Sequence, residues 1–304
     1  MKPRHHELPE LYLKGFCEPG TSFVWVFEKG KDFSPGLRRG KNNPYRGGLH
    51  VTALRKDAYG VRGDDGRIHY KYETKLQQKE TLADAVLLKI RNQTPITAPE
   101  KETLARYIGL MMRRLSKRDE QARPRMAEIL ANSEMHRVAR ELAYAGNFGK
   151  AREIVEVMDR LQSRDGTTGL LRESMLMEFD KVHGAIMSMP WRFLVAAPGR
   201  YFVTTDTPVV FDTYQGLRNS PLLFPISSSI MLDASRFNSQ DLVYEEGSRD
   251  ETRKFNAMVI SQATKTTYAP QPDRWVQDGA TNGFQFVVGV DAEDNISPAG
   301  TSSI

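Results

Sequence analysis

Apolar and polar positions alternate with two different periods along the chain, and they divide it into three stretches. In the first, short apolar runs sit between turn residues. Ser22-Phe23-Val24-Trp25-Val26-Phe27, closed by Lys29-Gly30, is rich in β-branched and aromatic side chains and predicts a strand. A basic loop with Gly and Asn follows over 31–48. Residues 51–61 predict another strand, and Gly63-Asp64-Asp65-Gly66 a turn before Ile68-His69-Tyr70. From Glu73 to about His183 the spacing is helical, with helices expected over 73–91, 100–118, 121–145, 149–162 and 168–187. Thr94-Pro95 separates the first two, Gly146-Asn147 stops the third, and Thr167 or Thr168 supplies an N-cap for the last. After Pro190 short runs return at 191–195, 201–204, 209–211, 222–226 and 229–232. A helix over 248–263 and strands near 265–268 and 284–290 complete the pattern.

Strands at both ends with helices between them predict an α+β fold. The expected form is a mainly antiparallel sheet built from the N- and C-terminal strands, with a central multi-helix block. One domain over 1–296, helical at about 73–187, would carry a flexible polar tail at 297–304.

Charged residues that interrupt an apolar helix face are the most informative positions. In the first helix Leu76, Ala83, Leu87 and Ile90 mark one face, and steps of three and four add Glu73 and Glu80 to it. A carboxylate there costs several kcal/mol unless it is paired or bound to a cation. Glu73 lies at the helix start, where the dipole alone accounts for it. In the second helix Leu104, Ile108, Met111 and Leu115 define the seam. Arg118 falls inside that stripe, Arg114 falls at its edge beside Tyr107, and Arg113 points to the opposite, solvated side. Glu178 shares a seam with Leu171, Met175 and Val182 in the fifth helix.

Composition narrows the class. The 304 residues are 39% hydrophobic and 27% charged, which excludes a disordered chain. No run approaches the ~18 apolar residues of a membrane helix. The basic start lacks an apolar signal-peptide core, and a single cysteine, Cys17, excludes an intrachain disulfide framework or a multi-cysteine zinc site. A soluble, cytoplasmic, bacterial-type protein with no membrane partner is expected. The net charge of +5 is local. Residues 101–125 hold eight bases and three acids, and the remainder sums to zero. That segment reads either as a solvated helix face or as an anion site of clustered guanidinium groups.

Two loop motifs complete the set. His5-His6-x-x-Pro9-x-x-Tyr12-Leu13 places an imidazole near the start, and Thr204-Thr205-Asp206-Thr207-Pro208 places an acid at a strand end. The plain alternatives are surface histidines and an Asx-type turn. No Walker loop, Rossmann glycine fingerprint, HExxH or GxSxG is present.

These motifs, with Phe16, Glu73, Glu80, the arginines at 113–118, Phe224-Pro225-Ile226-Ser227 and the stretch from Asn256 to Tyr268-Ala269, resemble the mostly bacterial family known as domain of unknown function 4238. The family follows its helix arginine with Thr-Pro, where this chain has Leu115-Ser116, so Arg114 and Arg118 both remain candidates. The resemblance implies one full-length domain and brings no activity with it.

The leading functional expectation is a phosphodiester hydrolase of the nuclease kind, in a toxin or defence role. His6, Glu80, Arg114 or Arg118, and Asp206 would share one cleft, with Tyr12, Glu73 and Glu178 in support. His6 would act as general acid or base, and arginine would neutralise charge on a phosphoryl oxygen. Glu80 and Asp206 would position water or a divalent cation such as Mg²⁺ or Mn²⁺. The alternative is a non-catalytic binding module for nucleic acid or another acidic, phosphate-bearing partner. A third reading makes the inward Glu and Arg residues a structural ion-pair network.

Overall fold

The computed structural model describes residues 4–56, 61–62, 68–69, 71–113, 124, 128, 134–162, 180–211, 217 and 220–282. The fold is α+β, as the order of elements predicts. Strands β1 (Arg4–His6) and β4 (Leu54–Lys56) form a small antiparallel pair. A first four-stranded sheet has the order β3-β2-β12-β8, with β2 at Phe23–Glu28, β3 at Tyr45–Gly48, β8 at Thr204–Thr205 and β12 at Thr266–Ala269. N- and C-terminal strands therefore do meet. The remaining strands make a second sheet of order β11-β7-β10-β9, from β7 (Trp191–Val195), β9 (Leu222–Pro225), β10 (Ile230–Ala234) and β11 (Val243–Glu246). Only the β11–β7 pairing within these two sheets is parallel. A short ladder joins β5 (Val61–Arg62) to β6 (Ile68–His69).

The helices are α1 (Glu10–Leu13), α2 (Lys71–Arg91), α3 (Ala98–Arg113), α4 (Glu134–Tyr144), α5 (Phe148–Gln162), α6 (Asp180–Met187), α7 (Arg249–Gln262) and α8 (Arg274–Asn282). In α2 the expected seam is real: Leu76, Ala83, Leu87 and Ile90 are buried. Helix α3 is buried on nearly all sides over its second half, because α2 and α6 pack against different faces of it. That packing corrects one expectation. Arg113 is half-buried and not solvated, its Nε donates to the Gly109 carbonyl at 2.9 Å, and burial lowers its pKa.

Apolar side chains leave both faces of the sheets. Val24 and Val26 of β2 join Trp191, Phe193, Phe224, Tyr12 and the α2–α3 seams in one core. Phe27, Leu194, Leu223 and Met231 point the other way, onto Val259, Ile260 and Val276 of α7 and α8. Burial on two sides explains why β10 shows no alternation and is buried throughout. Each fully buried Leu, Ile or Phe stabilises by about 1.5–3 kcal/mol relative to exposure.

Candidate functional site

The first sheet presents its polar end to a cavity of about 440 Å³. Register aligns Tyr45, Val26 and Tyr268 across three strands as a floor, and pairs Glu28 with Thr266 one step further along. Ala53, Leu54 and Glu7 form a facing wall, tied together by the Glu7 N–H donating to the Ala53 carbonyl at 2.7 Å. The mouth carries Lys29, Lys31, Arg39 and Lys265.

The two turns at this mouth are held differently. Lys29 donates its backbone N–H to the Lys265 carbonyl at 2.9 Å, and its ammonium reaches the Ala263 carbonyl at the end of α7 at 3.0 Å. Lys31 pairs with Glu28. Arg39 and Lys265 are exposed, and the Arg39 guanidinium lies 5.8 Å from the Tyr45 ring centroid, within cation–π range. Burial pushes the Tyr45 hydroxyl up to about 12 against the opposing pull of that guanidinium. Tyr268 is pushed up by burial first, and then by the negative charges of Asp206 and Glu7. Both phenols therefore stay neutral at physiological pH.

Asp206 holds the 264–266 segment that lines the mouth. Its Oδ1 accepts the Thr264 N–H at 2.9 Å and the Thr266 N–H at 3.4 Å. Its Oδ2 accepts the Lys265 N–H at 3.0 Å and the Thr264 hydroxyl. A carboxylate has about four acceptor positions, and here each has a donor. The Asp206 carboxylate thus shapes the 264–266 segment from which Lys265 projects.

His6 sits one residue before Glu7. Its Nδ1 lies 3.1 Å from the Thr52 carbonyl and its Nε2 3.1 Å from Glu10 Oε1. Both ring nitrogens thus face oxygen atoms. Tyr12 is wholly buried. Its hydroxyl donates to the Pro225 carbonyl at 2.8 Å and lies 2.7 Å from Thr204 Oγ1, so the threonine donates to it. Through that contact the His-Pro-Tyr-Leu opening meets the Thr-Thr-Asp-x-Pro motif, with Phe224 stacked on the Tyr12 ring at 5.2 Å.

The structure thus brings the His6 segment, Tyr12 and Asp206 into one region. Glu80 is half-buried on α2, consistent with its seam position. Glu73 lies in the first turn of α2, with its side chain outside the described set; Arg114, Arg118 and Glu178 lie outside the described residues. Among the described residues, no three His, Cys, Asp or Glu side chains are arranged to hold a metal ion.

The basic segment behaves differently from its charge count. Lys101 is buried and donates to Asp241 at 2.8 Å and to the Met189 carbonyl at 2.9 Å. Arg106 pairs with Glu102 at 2.7 Å. With Arg113 half-buried, the described part of this segment makes internal contacts, and the exposed cations of the cleft come from elsewhere in the chain. Lys101 was detectable, since it precedes Leu104 by three and Ile108 by seven on the α3 seam. Arg91, which donates to the carbonyls of Leu11, Tyr12 and Ile226 at 3.0–3.3 Å, follows Leu87 by four in the same way. Arg39 and Lys265 had no such signal, because only strand pairing places them together.

No helix among the described residues is long and apolar enough to cross a membrane. No curated protein and no solved structure matches the chain. The family model described as protein of unknown function (DUF4238) matches residues 4–273 of the 304, and the chain belongs to that family.

Proposed function

We propose that the protein binds an acidic, phosphate-bearing ligand in the cleft between β1–β4 and the first sheet. The observation that carries this reading is the convergence of the exposed Arg39 and Lys265 on the mouth of a concave site that also contains buried tyrosines. Guanidinium and ammonium groups supply the donors a phosphate accepts, and a concave wall of low polarisability strengthens each contact. Asp206 contributes by holding the Lys265 turn, not by touching the ligand. A cytoplasmic setting accords with the single thiol, Cys17, which burial pushes up to about 11 and keeps protonated.

Phosphodiester hydrolysis is the second reading, favoured by one observation. The His6 ring is held between Glu10 and Thr52, one residue along the chain from the Glu7 that lines the cleft, and an imidazole there is a candidate general acid. Titration with fluorescent phosphate-bearing probes separates the readings. Replacing Arg39 and Lys265 together by alanine should weaken binding and make what remains less sensitive to salt. His6→Ala should leave binding intact and abolish turnover only if the cleft is catalytic. Equal affinity and salt slope in the wild type and the double variant would refute the cleft as an anion site.

A further inference from the structure

We infer that the chain takes a strand of nucleic acid by its phosphate backbone, along a basic arm at residues 34–43 that leads into the cleft; the inference rests on the anion-binding reading above. The arm is part of the connection between β2 and β3. Over residues 37–43 it holds three bases, Arg38, Arg39 and Lys41, and no acid. All three are exposed, and Leu37 beside them is 68% exposed, so the tip adds nothing to the core. Among the described residues, Arg38 and Lys41 take part in no ion pair.

A tip that buries so little is ordinarily a loosely held loop. Here its base is fixed. The Ser34 N–H donates to the Asn43 carbonyl at 2.5 Å, the Asn43 N–H to the Ser34 carbonyl at 3.1 Å, and the Gly36 N–H to the Pro44 carbonyl at 3.1 Å. The Asn43 side chain is 2% exposed, and its Oδ1 accepts the Glu28 N–H at 2.7 Å. Its Nδ2 lies 2.8–3.1 Å from Gln277 Oε1 and from the carbonyls of Lys31 and Glu28. Gln277 in turn donates to the Lys31 carbonyl at 3.0 Å. At the tip the Lys41 N–H meets the Arg38 carbonyl at 3.4 Å, and Gly40 turns the chain with a φ of +80°. These buried amides tie the arm to β2 and α8. Its backbone is therefore ordered on folding, and a ligand does not have to order it on binding.

Position selects the ligand. Arg39 belongs to both surfaces, since it lines the cavity with Lys265, whereas Arg38 and Lys41 stand outside that lining. A single phosphate at the mouth would meet Arg39 and Lys265 and leave the other two cations unused. A phosphodiester backbone carries a charge at every nucleotide, so it extends from the mouth onto the arm and meets Arg38 and Lys41 as well. Arg274 of α8 adds a further cation at the base of the arm, 6.0 Å from the Phe33 ring centroid. An anionic lipid surface fits less well. Its plane does not enter a concave mouth, and the arm offers it one exposed apolar side chain, Leu37, where interfacial binding needs an apolar face.

The test is fluorescence anisotropy of the full-length protein with a labelled single-stranded RNA and DNA of about 12 nucleotides and with a labelled mononucleotide, beside flotation with phosphatidylcholine vesicles with and without phosphatidylserine. At least one oligonucleotide should bind about tenfold or more tightly than the mononucleotide, and the vesicles should not bind. The double variant Arg38→Gln with Lys41→Gln should weaken the oligonucleotide about tenfold and the mononucleotide little, which closes the gap between them. The charge-keeping pair Arg38→Lys with Lys41→Arg should restore it, and thermal melting checks that each variant folds. An oligonucleotide that binds no more tightly than the mononucleotide would overturn this inference and leave the cleft standing as an anion site. So would an oligonucleotide affinity untouched by the glutamine pair, or capture by the phosphatidylserine vesicles alone. Failure of every probe to bind would overturn both.

Discussion

At the scale of single residues, the cleft depends on side chains that act through the backbone. Asp206 is the clearest case, since one carboxylate organises three successive N–H groups and a hydroxyl. Replacing it by alanine leaves those donors to compete for water at a half-buried site. The expected cost is about 2 kcal/mol in urea denaturation, together with weaker ligand binding as the Lys265 turn loosens. A loss below about 0.5 kcal/mol, the level of an ordinary surface change, would show that the turn holds its shape without the carboxylate. Gly15 has a comparable role where the segment after α1 meets the end of β9. A Cβ there would lie 2.7 Å from the Ile226 carbonyl and 2.9 Å from Arg91 Nη2, so only glycine lets the α1 segment approach the second sheet closely enough for Arg91 to bridge them.

At the scale of elements, ends are as informative as faces. Helix α7 begins with a complete capping box, in which Ser248 accepts from the Glu251 N–H at 3.1 Å and Glu251 accepts from the Ser248 N–H at 3.0 Å. The Ser248 backbone N–H is the main cause that holds the Glu251 carboxyl below its ordinary value of 4.5. A lowered folded-state value means stability that is fully present above 4.5 and lost as the pH falls through the lowered value. Glu251→Gln, which keeps a capping acceptor but removes the charge, should therefore flatten the acid limb of the stability profile with little loss of the cap itself. Parallel acid limbs in wild type and variant would exclude this source. The elements themselves were legible to different degrees. Helices α2, α3 and α7 announce themselves because their contacts repeat within a few residues, and their seams are visible as spacing. The split of the strands into two sheets was not legible, since β2 could pair with any apolar run of similar length. β11 was missed altogether: two of its four residues are exposed glutamates, and its parallel pairing with β7 is a long-range choice. The same limit applies to the cleft. His6, Tyr12 and Asp206 stand out as motifs, whereas Arg39, Tyr45 and Lys265 acquire meaning only from the register of β2 with β3 and β12.

At the scale of the molecule, the net charge of +5 is a poor guide to where an anion would bind. The segment that contains the whole excess commits its described cations to Asp241, Glu102 and helix carbonyls. The cations left exposed around a concavity come from two turns far apart in sequence, brought together by the N- and C-terminal strands of one sheet. The central claim is that this concavity, and not the basic helical segment, receives the ligand. Backbone amide shifts recorded while the protein is titrated with a small phosphate-bearing probe test it most directly. The account predicts saturable shifts concentrated at Gly30, Lys31, Arg39 and Thr264 to Thr266. Shifts confined to residues 101–113, or no shifts at all, would contradict it.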